Sequence, residues 1–174
     1  MPVFRSCALL WCALLSLTAA SVNAGEPTPM DEETLLKHGE REIVELHQFF
    51  QDWYRGRDDV DFERFNRALS PGFVIVMPDA RILGREVIVD AVRQQRDSDP
   101  EARLEIRNVQ LHMAGKDHAV LTYEEWQGRG GDPMRGRLST VVFTFDNDAP
   151  NGLIWLHVHE TWLPEDARES TSTD

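Results

Sequence analysis

The sequence predicts an α+β domain in which three N-terminal helices pack on one face of a bent, mostly antiparallel sheet. Helical periodicity is confined to residues 31–96, and four alternating, strand-like segments then follow one another from residue 103 to residue 163. A sheet bent around its helices leaves a cone-shaped cavity between the layers, and a third observation, an apolar row interrupted by a glutamate in the last of those strands, turns an acid toward it.

Arg5 precedes an apolar run from Cys7 to Ala20, and Val22-Asn23-Ala24 ends in small residues, the pattern of a cleaved secretory leader. The run falls short of the roughly 20 residues a membrane-crossing helix needs. The expected division is a leader at 1–24, a loose lead-in at 25–30, one domain at 31–164 and a disordered polar tail at 165–174. Removing 24 of the 174 residues leaves 150, enough for a single core. Both cysteines, Cys7 and Cys12, lie in the leader, so the mature chain has no disulfide, no thiolate metal site and no cysteine nucleophile. An exported protein without cysteines suits a bacterial periplasm or exterior. Loss of Arg5 takes the net charge from −12 to −13, which repels phosphate backbones and anionic membrane surfaces. Nucleic acid and membrane are therefore not expected partners.

Residues 31–55 carry Leu35, Leu36, Ile43, Leu46, Phe49, Phe50 and Trp53 on one stripe at helical spacing. Asp31, Glu32 and Glu33 crowd the first turn, where the helix dipole favours acids, and Gly56 ends the pattern. A second helix is expected over residues 60–69, stopped by Pro71-Gly72. A short strand over 73–77, a turn at Pro78-Asp79 and a second strand over 80–83 form a hairpin. Gly84 then opens a third helix over 85–96. Strands are expected over 103–113, 118–127, 137–146 and 153–163, joined by hairpin turns and a longer glycine-rich loop at 128–136.

In the last strand, alternate side chains face opposite ways. Burying Ile154, Leu156 and Val158 stabilises each by roughly 1.5–3 kcal/mol, and that choice turns Glu160 inward. Trp155, His157 and His159 then face outward with Trp126, and these four are the expected subunit interface of a homodimer or higher oligomer. His157 and His159 share a face like half a metal site, but His47, His112 and His118 lack motif spacing, so no metal is expected. No phosphate-binding loop or Gly-x-Ser-x-Gly motif occurs, and no cofactor is expected.

Pro71-Gly72-Phe73, the run Asn108-Val109-Gln110-Leu111-His112 leading to Gly115-Lys116-Asp117, and Trp155 with Val158-His159 carry a resemblance. With the element order over residues 31–164, the chain resembles the nuclear transport factor 2-like superfamily, of the SnoaL-like and ketosteroid-isomerase-like kind. Its local wording is similar to the association (hub) domain of calcium/calmodulin-dependent protein kinase II and its bacterial relatives. That resemblance implies a cone-shaped α+β barrel. Pocket arginines of the hub match Glu125, Val141 and Glu160 here, so the hub's anion binding is not implied.

The same parity directs Tyr123, Glu125, Arg137, Ser139 and Phe143 toward the cavity, with Tyr54 and Asp79 near its mouth. Two acids in a dry pocket push one pKa upward. Glu160 or Glu125 would then serve as a proton-transfer base, with Tyr123 donating to a developing oxyanion. The alternative is a structural ion pair of either glutamate with Arg137. Three functions stay open: an exported protein binding an unknown small molecule, a cofactor-free isomerase or dehydratase, and an oligomerisation module.

Overall fold

The structure is a computed structural model that describes residues 31–165. The expected leader, the lead-in and nearly all of the tail lie outside the described residues.

Helix α1 (Glu32–Tyr54) opens on Asp31, whose carboxylate accepts from the Thr34 backbone N–H at 2.9 Å. Its stripe of Leu35, Ile43, Leu46, Phe49 and Trp53 is buried against the concave face of the sheet. Gly39 lets the helix approach closely: a Cβ there would lie 2.5 Å from Leu121 Cδ2. Helix α2 (Glu63–Ala68) and α3 (Arg85–Gln94) complete the helical layer. The strands are β1 (Leu69–Val76), β2 (Ile82–Gly84), β3 (Ala102–Ala114), β4 (His118–Arg129), β5 (Arg135–Phe145) and β6 (Leu153–Trp162). They form one sheet in the order β2-β1-β6-β5-β4-β3, antiparallel except for the β1–β6 pair. Three helices on a curved, mixed sheet make the α+β cone that the sequence predicts.

Two local readings are corrected. The second helix ends at Ala68, and Pro71-Gly72 lies within β1 instead of ending a helix. The register of β1 on β6 shifts between Leu69 and Val74, and Pro71 and Gly72 are both exposed within that shift, so the missing proline N–H costs no ladder bond. In β6, the register shifts opposite Val142 and Phe143, which pair with His157 and Trp155 respectively. Leu156 is the extra residue of this bulge, and the bulge flips side-chain parity. Leu153 and Trp155 therefore point inward, joined beyond the bulge by Val158 and Glu160, while Ile154 and Leu156 are only half-buried.

The expected outward Trp155 is thus a core residue, 3% exposed. Burying an indole removes more apolar surface than burying Ile154, and its N–H finds an acceptor in the Glu42 carboxylate at 2.9 Å. Trp126 does lie on the outer face, but it is only 2% exposed, packed over Gly136 and beneath the Arg107 guanidinium. Neither tryptophan is free to form an interface. The outer face retains His159, exposed, and His157, half-buried, beside the exposed Leu138.

Candidate functional site

A cavity of about 460 Å³ opens between α1, α3 and the concave face of the sheet. Leu46, Phe50, Phe73, Ile75, Ile88 and Val158 supply its apolar wall, and His47, Tyr54, Tyr123, Glu125, Arg137 and Glu160 its polar part.

The polar cluster follows from strand register. The β4–β5 hairpin sets Glu125 opposite Arg137 and Tyr123 opposite Ser139. The β5–β6 pairing sets Ser139 opposite Glu160, so Arg137 is the diagonal neighbour of Glu160. Arg137 grips Glu125 with Nε at 3.0 Å from Oε2 and Nη2 at 2.8 Å from each oxygen. Gln127 Nε2 donates to Glu125 Oε1 at 2.6 Å, and His47 Nε2 lies 3.1 Å from Oε2. His47 Nδ1 lies 2.6 Å from the Ile43 carbonyl. Both ring nitrogens face oxygens that only accept, so the contacts are satisfied when both carry protons.

Glu160 stands in a different environment. It is 4% exposed and lines the cavity, and Arg137 Nη1 lies 3.0 Å from its Oε2. That contact misses hydrogen-bond geometry, and Oε2 is buried with no hydrogen-bond partner among the described residues. Burial pushes the Glu160 carboxyl up to about 7, with the Glu125 charge adding to the rise and Arg137 and His47 opposing it. Burial also pushes Glu125 up, but His47, Arg137 and its hydrogen bonds outweigh that and hold it well below the usual carboxylate range. Burial raises Tyr54 to about 12 and Tyr123 well above its ordinary value, so both hydroxyls stay neutral donors.

The structure therefore separates the two glutamates. Glu125 is the saturated anchor of Arg137 and His47, which corrects the expectation that it is available as a base. Glu160 keeps both the environment and the unused acceptor capacity that proton transfer or ligand binding requires. The expected ion pair of Arg137 exists with both acids, strongly with Glu125 and loosely with Glu160.

Tyr54, Tyr123 and Arg137 line the cavity as expected. Three other expected lining residues do not. Asp79 sits on the exposed hairpin, its carboxylate paired with Arg81 at 2.7 Å. Ser139 is fully buried beneath the lining, and Phe143 is a core residue packed edge-on against Trp155 with centroids 4.9 Å apart. His47 and Trp155 join the site without having been expected there. The signal for His47 was present: it sits on the apolar stripe of α1, where a polar residue needs a buried partner. Glu42 carried the same signal. It is fully buried and receives Arg64 Nη2 at 2.7 Å, Asn151 Nδ2 at 2.9 Å and Trp155 Nε1 at 2.9 Å. Among the described residues, no cluster of three or more His, Cys, Asp or Glu could hold a metal.

Comparison with known proteins places this geometry. The sequence profile of the family described as sucrose-6-phosphate phosphohydrolase C-terminal matches residues 39–164. Sucrose-phosphatase 1 of Nicotiana tabacum is 24% identical over 128 residues, which is 70% of this chain but 30% of that protein. The chain thus spans about 30% of the length of the curated relatives it matches. A nuclear transport factor 2-like protein of unknown function from Pseudomonas aeruginosa superposes with a TM-score of 0.65 at 29% identity, covering 73% of this chain and 99% of that one. The kinase II hub of S. rosetta superposes with a TM-score of 0.58 at 12% identity, covering 78% of this chain and 100% of the hub, a likeness of fold alone.

Proposed function

We propose, for a chain that belongs to the sucrose-6-phosphate phosphohydrolase C-terminal family and has a nuclear transport factor 2-like fold, that the cone cavity binds a small molecule through Glu160. One contrast carries this reading. Among the described residues three glutamates are buried, and two of them, Glu42 and Glu125, have their oxygens saturated by donors. A glutamate with a purely structural role is saturated in that way. Glu160 Oε2 is not, and the carboxyl lines a cavity large enough for a ligand. The name sucrose-phosphatase describes the whole tobacco protein, whereas the binding function proposed here resides in this domain's own cavity.

The reading is tested by titrating small aromatic and aliphatic compounds while following Trp155 fluorescence, with Trp155→Phe as the blank. Saturable changes are expected in wild type and lost on Ala91→Phe, which fills the cavity. A panel without saturable binders, or binding unaffected by filling, would overturn it.

A second reading is supported by the raised carboxyl of Glu160 beside the neutral hydroxyls of Tyr54 and Tyr123: cofactor-free proton transfer of the isomerase or dehydratase type. Glu160→Gln then abolishes turnover of any substrate found, with folding intact. We further place the domain in an exported setting, on the strength of the leader pattern at 1–24. The hub domains among its structural neighbours support self-association, with the outer sheet face around Leu138 and His159 as the contact.

A further inference from the structure

We propose that the ligand of this cavity is an organic cation, an ammonium group carried on a small apolar frame. The proposal rests on the cavity being a binding site and adds the chemical class of what fills it.

The first argument is the state of the Glu160 carboxylate. Arg137 spends Nε and Nη2 on Glu125 and offers Glu160 only an Nη1 that is near but poorly aligned. The carboxylate keeps acceptor capacity with no donor among the described residues aimed at it. An ammonium N–H supplies that donor together with the positive charge that makes a hydrogen bond to a carboxylate strong. It also stabilises the ionised form that burial disfavours.

The second argument is the wall. Phe50, Tyr54, Phe73, Tyr123 and Trp155 line the same cavity. Tyr123 and Trp155 meet at 88° with centroids 6.3 Å apart, and Tyr54 stacks on Phe50 at 12°. Aromatic rings attract a desolvated ammonium, and an apolar frame packs against the same rings.

The third argument is charge. The chain carries a net −12, which draws cations toward it and repels anions. A carboxylate ligand would meet Glu160 with Arg137 and His47 already committed to Glu125. A neutral alcohol would supply a donor but no charge.

The three classes are compared on one frame by titration calorimetry of phenylpropylamine, phenylpropanol and phenylpropionate in mildly alkaline buffer. The amine is expected to bind at least about tenfold tighter than the alcohol, and the carboxylate weakest. Glu160→Gln should bring the amine to the level of the alcohol and leave the alcohol within about twofold. An alcohol that binds as tightly as the amine, or an amine indifferent to Glu160→Gln, would overturn the cation and leave the cavity reading standing. Failure of all three to bind folded protein would overturn the cavity reading and the cation with it. The wild-type ranking alone decides the matter should the variant fail to fold.

Discussion

Replacing Glu160 with glutamine should change how stability depends on pH more than it changes stability itself. In the unfolded chain the Glu160 carboxyl has its ordinary value of 4.5, and in the folded protein it sits at about 7. Below the unfolded value both states hold the proton and the group is silent. Between the two values the folded protein keeps a proton that the unfolded chain has released, so stability falls as pH rises. Above the folded value the loss is complete. At about 1.36 kcal/mol per unit, a rise of that size costs about 3 kcal/mol. Glutamine keeps the size of the side chain and cannot ionise. The variant should therefore gain on wild type by about 3 kcal/mol between mildly acidic and mildly alkaline pH. Glu125 is held far below this window, so its ionisation is constant across it and cancels in the difference. The assay is urea unfolding of both proteins across that range, followed by tryptophan fluorescence and circular dichroism. A wild-type-to-variant difference that changes by less than about 1 kcal/mol over the range would refute the argument that burial dominates at Glu160.

Glu42→Ala should cost about 3–5 kcal/mol in the same assay, because it strands a half-buried Arg64 and a buried Trp155 N–H; a cost under about 1 kcal/mol would reject Glu42 as the tie between α1, α2 and β6. Arg137→Met should destabilise by a similar ~3–5 kcal/mol near neutral pH, because two buried carboxylates lose their cation. Without Arg137 both folded carboxyls titrate higher, so that loss should shrink as pH falls, and a loss independent of pH would contradict it. Leu138→Glu should lower the sedimenting mass of an assembled wild type, and an unchanged mass would reject the outer face as the contact.

Much of the site was legible because it rests on local pairing. The β4–β5 hairpin turns over residues 130–134, inside the loop expected at 128–136, and its register brings Glu125 to Arg137. The inward direction of Glu160 was legible too, although for an incomplete reason. The row Ile154, Leu156, Val158 implied unbroken alternation, yet the bulge at Leu156 breaks it, and only the residues beyond the bulge keep the expected face. A bulge depends on what the partner strand and the facing helix will accept, here the buried Trp155 indole with Glu42 as its acceptor. Nothing in the β6 sequence encodes that acceptor, since Glu42 lies 113 residues away. Asp79 misled in the opposite way, because turn chemistry with Arg81 accounts for it and the hairpin holds it outside the cavity lining.

The sequence by itself determined the α+β order, the amphipathic face of α1 and the hairpin that joins β4 to β5. These follow from periodicity and from hairpin closure, which act over short stretches of chain. Only the tertiary structure decided that His47 and Arg137 saturate Glu125 while Glu160 is left with an unused oxygen. That difference arises where α1 crosses the sheet, because donors and burial are distributed by packing between elements remote in sequence.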